Sequence, residues 1–244
     1  EQYNAGDNLY TLGSFSKDSL DYVYASIWDA GGNDTFSWAD QSTIGAIDLN
    51  PGSFSCFGNI SSVKDTDLAS NTWSAGDGLL GIAYNATIEN AIGGSASDTI
   101  AGNSSANTLY GGAGNDALYG GAGDDILDGG TGRDVLSGEG SANSDSSYQD
   151  ADNKWGGPAG SDVFITRAGD GSTVLAEADV ITDFQDGTDL IGLDGINFND
   201  LTIEQGTGSY SSHVVVKKTD TGEFLIIIQN TSLSSISDAD FSAI

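Results

Sequence analysis

Gly111-Gly112-Ala113-Gly114-Asn115-Asp116-Ala117-Leu118-Tyr119, Gly120-Gly121-Ala122-Gly123-Asp124-Asp125-Ile126-Leu127-Asp128 and Gly129-Gly130-Thr131-Gly132-Arg133-Asp134-Val135-Leu136-Ser137 are three consecutive nonapeptides in the register G-G-x-G-x-D-x-U-x. Two looser units, Gly93 to Ala101 and Gly102 to Tyr110, precede them without a gap. Position six holds Asp98, Asn107, Asp116, Asp125 and Asp134; position eight holds Ile100, Leu109, Leu118, Leu127 and Leu136. A flexible Gly/Ser linker has no need of an aliphatic residue every nine positions, so the period reports a repeated structural unit.

The residue types follow from the geometry such a unit needs. A short x-U-x strand turns one apolar side chain inward and its neighbours outward. The G-G-x-G-x-D stretch reverses the chain, using backbone angles open chiefly to glycine. Two units complete one turn of a flattened roll, so units i and i+2 stack on the same side. Turn carbonyls and position-six carboxylates then converge between stacked turns, forming an all-oxygen cage suited to a hard cation such as Ca²⁺. Without the ion, the facing carboxylates repel.

Working outward, the 244 residues carry 36 acidic and 7 basic side chains, a formal net charge of −29. Thirty of the acids are Asp, whose short side chain suits turns and metal cages. Glycine, at 35 residues, is about twice its usual share. The field of such a chain repels nucleic acid and anionic membranes. The longest apolar run, Phe224 to Ile228, is too short to insert in a membrane. Glu1 to Tyr10 has neither the basic nor the apolar region of a signal peptide. The lone Cys56 excludes an intrachain disulfide framework and reads as a buried small residue.

The repeats resemble those of RTX proteins, secreted calcium-binding proteins of Gram-negative bacteria. The flanks narrow the likeness: Trp28 to Phe36 (WDAGGNDTF), Ile47 to Ser55 (IDLNPGSFS), Ala86 to Gly94 (ATIENAIGG), Asp162-Val163-Phe164, Asp179 to Phe184 (DVITDF) and Gly187 to Ile191 (GTDLI). In this order the set resembles the C-terminal domain of serralysin-type zinc metalloproteases. The resemblance implies an all-β fold, a right-handed parallel β-roll of calcium-binding repeats flanked by an antiparallel β-sandwich. Its parts would be an N-terminal β part over 1–92, the roll over 93–165 with an insertion at about 139–159, and sandwich strands with a secretion signal over 166–244. Val214 to Lys217 and Phe224 to Gln229 read as antiparallel strands, and Ser235 to Phe241 as a brief helical turn.

The resemblance also implies ligands for several Ca²⁺ ions. One roll site takes Gly94, Ala96, Asp98, Gly111, Ala113 and Asp116. The next takes Asn103, Ser105, Asn107, Gly120, Ala122 and Asp125, and is expected to be the weaker for carrying Asn107. A third takes Gly112, Gly114, Asp116, Gly129, Thr131 and Asp134. A fourth begins with Gly121, Gly123 and Asp125, but its partner unit is interrupted before Asp162. Outside the repeats, Asn4, Gly6 and Asn8 match with Asp29, Gly31 and Asp34. Downstream, Asp179 resembles a ligand position, with Asp170 as partner. Two stretches depart from the family pattern. Ser61 to Gly81 reads as a polar surface loop, and Glu139 to Ala159 either ends the roll early or bulges from it, carrying Asp145, Asp150 and Asp152.

The protease activity of that family resides in an H-E-x-x-H domain with further zinc ligands. This chain has one histidine, His213, which reads as an exposed strand residue, and no methionine, so no zinc and no catalysis are expected of it. Ser237 to Ile244 ends in acids followed by small and apolar residues, resembling the uncleaved signal of type I secretion substrates. The expected partners are a protease catalytic domain and a type I exporter, and the expected location is extracellular. The alternatives are the same module on another exported enzyme, such as a lipase or epimerase, or a stand-alone calcium-dependent adhesin.

Overall fold

The structure, a computed structural model, describes residues 6–11, 24–57, 79–139 and 160–244. The described strands before the repeats are β1 (Leu9–Thr11), β2 (Tyr24–Ile27), β3 (Thr35–Ser37), β4 (Gly45–Asp48), β5 (Phe54–Phe57), β6 (Leu79–Ile82) and β7 (Asn90–Ile92). The nonapeptides supply β8 (Thr99–Ala101), β9 (Thr108–Ala113), β10 (Ala117–Tyr119), β11 (Ile126–Thr131) and β12 (Val135–Ser137). After them come β13 (Val163–Arg167), β14 (Asp179–Ile181), β15 (Leu190–Asp194), β16 (Leu201–Gln205), β17 (Val214–Lys218), β18 (Phe224–Ile228) and β19 (Phe241–Ala243). The protein is all-β, with short 3-10 turns at Leu233–Ser235 and Asp238–Asp240 around the expected helical turn.

Successive nonapeptides alternate between two sheets, so each pairs in parallel with the unit two away. Leu109 stands opposite Leu127 in one sheet, and Leu118 opposite Leu136 in the other. The first sheet runs β1-β3-β7-β9-β11-β13-β15-β19, and the second runs β16-β17-β18-β14-β12-β10-β8-β4-β5-β6-β2. The antiparallel strands expected at the flanks are β4-β5-β6 and β16-β17-β18, both in the second sheet. The parallel stack itself continues well beyond the repeats. Tyr10, Phe36 and Ala91 precede Leu109 in register, and Phe164, Ile191 and Phe241 follow Leu127.

This register builds the core. One column of inward side chains is Tyr10, Phe36, Ala91, Leu109, Leu127, Phe164 and Ile191; the facing column is Ile47, Ile100, Leu118, Leu136, Ile181 and Ile228, and all are buried. Each large member stabilises the fold by about 1.5–3 kcal/mol through removal from water. The core is two side chains thick, so the turns at its rim carry an unusual share of the burden of holding it.

The roll does not end at the 139–159 stretch. β13 resumes in register against β11, Leu127 opposite Phe164, and Gly121 N–H reaches the Gly138 carbonyl at 2.9 Å on the near side of the gap. Asp145, Asp150 and Asp152 lie outside the described residues, as do 61–78. The end of that polar stretch, Leu79 to Gly81, is not loop but part of β6, pairing in parallel with β2 and antiparallel with β5. No helix among the described residues is long and apolar enough to cross a membrane.

Candidate metal centres between the turns of the roll

Position six is the last residue before each strand, and its carboxylate is fixed by the stack. One oxygen accepts the backbone N–H of the equivalent residue in the unit beneath. Asp98 N–H donates to Asp116 Oδ1 at 2.7 Å, Asp116 N–H to Asp134 Oδ1 at 2.7 Å, and Asp134 N–H to Asp179 Oδ1 at 2.8 Å. On the other side, Asn107 N–H donates to Asp125 Oδ1 at 2.7 Å, Asp125 N–H to Asp162 Oδ1 at 2.9 Å, and Asp162 N–H to Asp189 Oδ1 at 3.1 Å. The result is two vertical ladders of acids, one along each side of the roll.

With Oδ1 committed, Oδ2 faces the space between turns. Oδ2 of Asp34, Asp116, Asp125, Asp134 and Asp162 is buried and has no hydrogen-bond partner. A buried carboxylate oxygen left in that state is costly. The position-one glycines line the same space. A Cβ on Gly111 would meet Asp116 Oδ2 and the Gly129 carbonyl, each at 2.5 Å; one on Gly120 would meet Asp125 Oδ2 and the Gly138 carbonyl. Carboxylate and carbonyl thus converge on the spot that only glycine leaves open, which is why position one carries no side chain. Gly93, with Asp98 and the Gly111 carbonyl, repeats the arrangement.

The electrostatics match. Burial pushes the Asp116 carboxyl up to about 7, Asp125 to about 8, and Asp134 and Asp162 to about 6, with neighbouring acids adding to the rise. Asp179 is pushed to about 8 by burial and then by Asp134. Asp34 and Asp98 are also raised by burial. Such sites favour a proton or a cation. A hard, oxygen-seeking dication fits the donor set: buried anionic oxygens, turn carbonyls, and few nitrogen or sulfur donors. Calcium, when bound, would supply positive charge between the turns.

The residues expected as ligands fall into place unevenly. Gly94 and Asn103 turn their carbonyls toward the next unit, where Ala113 and Ala122 N–H reach them at 3.0 Å; a carbonyl's second lone pair is left over. Ala96 and Ser105 back onto Gly114 and Gly123 as the stack requires. The Thr131 carbonyl accepts Gly114 N–H at 2.9 Å, and Gly112 backs onto Gly130. Asn107 is fully hydrogen-bonded. Its Oδ1 accepts Asn103 N–H at 2.7 Å, and its amide donates to the Glu89 carbonyl at 2.9 Å. That side chain's donor does locally what a bound cation would do at the orphaned carboxylates.

At the N-terminal end, Asn4 lies outside the described residues, and Gly6, Asn8, Asp29, Gly31 and Asp34 come together. Asn8 N–H donates to Asp34 Oδ1 at 2.8 Å, Gly31 N–H to Asp29 Oδ1 at 2.9 Å, and Tyr10 hydroxyl to Asp29 Oδ2 at 2.5 Å. Downstream, Asp170 lies near enough to Asp179 to help raise its carboxyl, and the two are held by different partners. Asp179 is the next rung of the ladder, whereas Asp170 faces Arg167 Nη1 at 3.2 Å. His213 precedes β17, is half-buried and takes Asn230 N–H on Nδ1 at 3.1 Å, so it is less exposed than its sequence setting implies. Cys56 is buried, as expected.

Sequence reasoning missed Glu89, Glu139, Asp183 and Asp189. Glu89 Oε2 accepts Asp34 N–H at 2.8 Å, which continues the ladder toward the N-terminus. Asp189 is the rung beyond Asp162. A half-motif, G-x-[DN]-x-U, would have found Asp189: it recurs at Gly6 to Tyr10, Gly32 to Phe36, Gly160 to Phe164 and Gly187 to Ile191. No comparable sequence signal marks Glu89 or Asp183.

An all-β parallel roll with acid ladders along its turns defines a class of repeat protein, and comparison assigns the family. The profile of peptidase M10 serralysin C terminal matches residues 3–221, and the chain belongs to that family. It is 39% identical over 102 residues to serralysin C of Dickeya chrysanthemi, covering 39% of this chain and 18% of that protein. It is 37% identical over 97 residues to the serralysin of Proteus mirabilis, covering 40% and 16%. The matched segment thus spans under a fifth of these relatives' length. Among solved structures, the extracellular lipase LipA from Serratia marcescens aligns over 98% of this chain and 37% of its own, with 16% identity and a TM-score of 0.40. The AlgE6R2 subunit from the Azotobacter vinelandii mannuronan C5-epimerase aligns over 62% and 89%, with 22% identity and a TM-score of 0.41.

Proposed function

We propose that this chain is a calcium-binding module that folds on meeting extracellular calcium. It directs and stabilises type I secretion of a serralysin-like metalloprotease and is itself non-catalytic. The observation that carries the reading is the set of five buried, unpartnered Oδ2 atoms between stacked turns, on Asp34, Asp116, Asp125, Asp134 and Asp162. The fold closes the cage around them, so an ion bound there stabilises the native state alone. At low intracellular calcium, the charged chain stays open for export; outside, binding sets the roll.

The partners on this reading are a protease catalytic domain and the exporter, the latter engaging the C-terminal residues before β19 joins its sheet. The nonapeptide part of the roll is 93–165, between parts at 1–92 and 166–244, and Asp34 carries cation demand into the first of these. The test is circular dichroism and thermal melting of the whole chain in excess chelator and in millimolar calcium. A large calcium-dependent gain of β signal and melting temperature is expected, and superimposable curves overturn the reading. Incubation with casein should yield no cleavage that scales with the chain.

A further inference from the structure

The described residues of the roll break after Glu139 and resume at Gly160, and the two edges of that gap hold three acids, of which Glu139 departs from the repeat pattern. The ligand atoms of Glu139, Asp162 and Asp189 all lie within 4.8 Å of one another. Asp183 fixes the outgoing edge, with Oδ1 accepting Gly138 N–H at 3.0 Å and Oδ2 accepting Glu139 N–H at 3.2 Å. Asp189 fixes the incoming edge through Asp162 N–H on Oδ1 and Gln185 N–H on Oδ2, the latter at 2.7 Å. Glu139 is itself held by the Gln185 side-chain amide. Asp162 is 1% exposed, and its Oδ2 has no partner. A Cβ on Gly138, the residue before Glu139, would collide with that same oxygen, so the orphaned atom looks into the seam.

Glu139 occupies position two of the split unit. In the intact repeats that position is Gly94, Asn103, Gly112, Gly121 and Gly130, which bring no carboxylate. The seam therefore gathers three carboxylates where an intact repeat site has at most two. We propose that the seam binds a divalent hard cation through Glu139, Asp162 and Asp189, more tightly than the intact repeats do, so that it fills first and clamps the two edges of the gap. The affinity of an oxygen cage rises with the number of charged ligands. The inference rests on the reading of the chain as a calcium-dependent module.

The experiment is a calorimetric calcium titration of the whole chain after chelator removal, with bound ions counted by native mass spectrometry. The wild type should show one tight ion before the weaker group. Glu139→Gln keeps shape and loses charge, and its first ion should bind about tenfold or more weakly. Circular dichroism in millimolar calcium should still report the folded roll. Glu139→Asp, which keeps the charge on a shorter stem, should fall between the two, and Glu177→Gln, at an exposed glutamate, should match wild type. An unchanged first step in Glu139→Gln, with calcium-driven folding intact, overturns the seam alone. A wild-type chain that binds no calcium overturns the seam and the proposed function together.

Discussion

The middle of the roll and its C-terminal end are both rich in aspartate, yet their acids are neutralised differently. In the middle, Asp116, Asp125 and Asp134 each spend one oxygen on the ladder and leave the other buried without a partner. At the end, the charge is met from within the chain. Arg167 reaches Asp128, Asp170 and Asp194, the last two at 3.2 and 3.1 Å. Asp240 closes a capping box on Ser237. The number of aspartates therefore says little about cation demand. What counts is whether the stack leaves an oxygen facing another oxygen or a donor.

The sharpest way to break this contrast is pH in the absence of calcium. The carboxyls of Asp116, Asp125, Asp134, Asp162 and Asp179 have folded-state pKa values of about 6 to 8, above the ordinary 3.8. A raised pKa contributes stability that is fully present below the unfolded value, near 4, and is lost as pH rises through the folded value. In chelator, acidification from pH 8.5 to 5.5 should therefore recover roll structure by circular dichroism. In calcium, the same acidification should weaken ion binding, since protons compete for the same oxygens. A calcium-free chain indifferent to pH across this window would contradict the cage.

Asp116→Asn comes next in size. Asp116 Oδ1 holds the Asp98 N–H, a bond an amide oxygen can keep, while Oδ2 is unpartnered and adjoins two of the proposed sites. In millimolar calcium the loss should be about 3–5 kcal/mol, the linkage energy of roughly two ions. In chelator the substitution should be neutral or stabilising, because it removes a buried charge. Equal losses in both conditions would show that Asp116 serves packing and not an ion.

Much of this was legible in the sequence, and the failures have a common cause. The nine-residue period revealed the roll, the inward columns of Ile100 to Leu136 and the position-six ladder, because there the stacking interval is a constant 18 residues. The same ladder continues at intervals of 26 and 55 residues toward the N-terminus, and of 37, 45 and 27 toward the C-terminus. A stack constrains what sits above what, not the length of chain between. Loops of unequal length therefore hide the repeat from any periodic reading while leaving it intact in space. Glu89 is hidden for this reason, and nothing local in the sequence marks Arg167 as a partner of Asp170.

Arg167→Met sharpens the other half of the comparison. Removing the guanidinium leaves Asp170 buried and facing Asp128, at a cost of about 1–3 kcal/mol, reduced by the partial exposure of the arginine and of Asp194. The loss should be the same at two calcium concentrations that both support folding, because the cation removed belongs to the protein. A loss that shrinks as calcium rises would mean that an ion can replace the guanidinium, and would move this end of the roll into the metal-dependent class.

The smallest effect tests the boundary between the two regimes. Asn107 stands on the ladder between acids but supplies its own donor to the Glu89 carbonyl and to Asn103 Oδ1, at 2.9 and 3.3 Å. Asn107→Asp converts a self-satisfied rung into a cation-seeking one. In low calcium the variant loses two donors and gains a buried charge, a penalty of about 1–3 kcal/mol. In high calcium the added carboxylate tightens the middle site and offsets that penalty. Melting temperature plotted against calcium should therefore rise more steeply for the variant, starting below wild type and converging on it or crossing. Parallel curves would show that Asn107 faces no ion, and that the charge-free rung is a structural joint between two separate groups of cation sites.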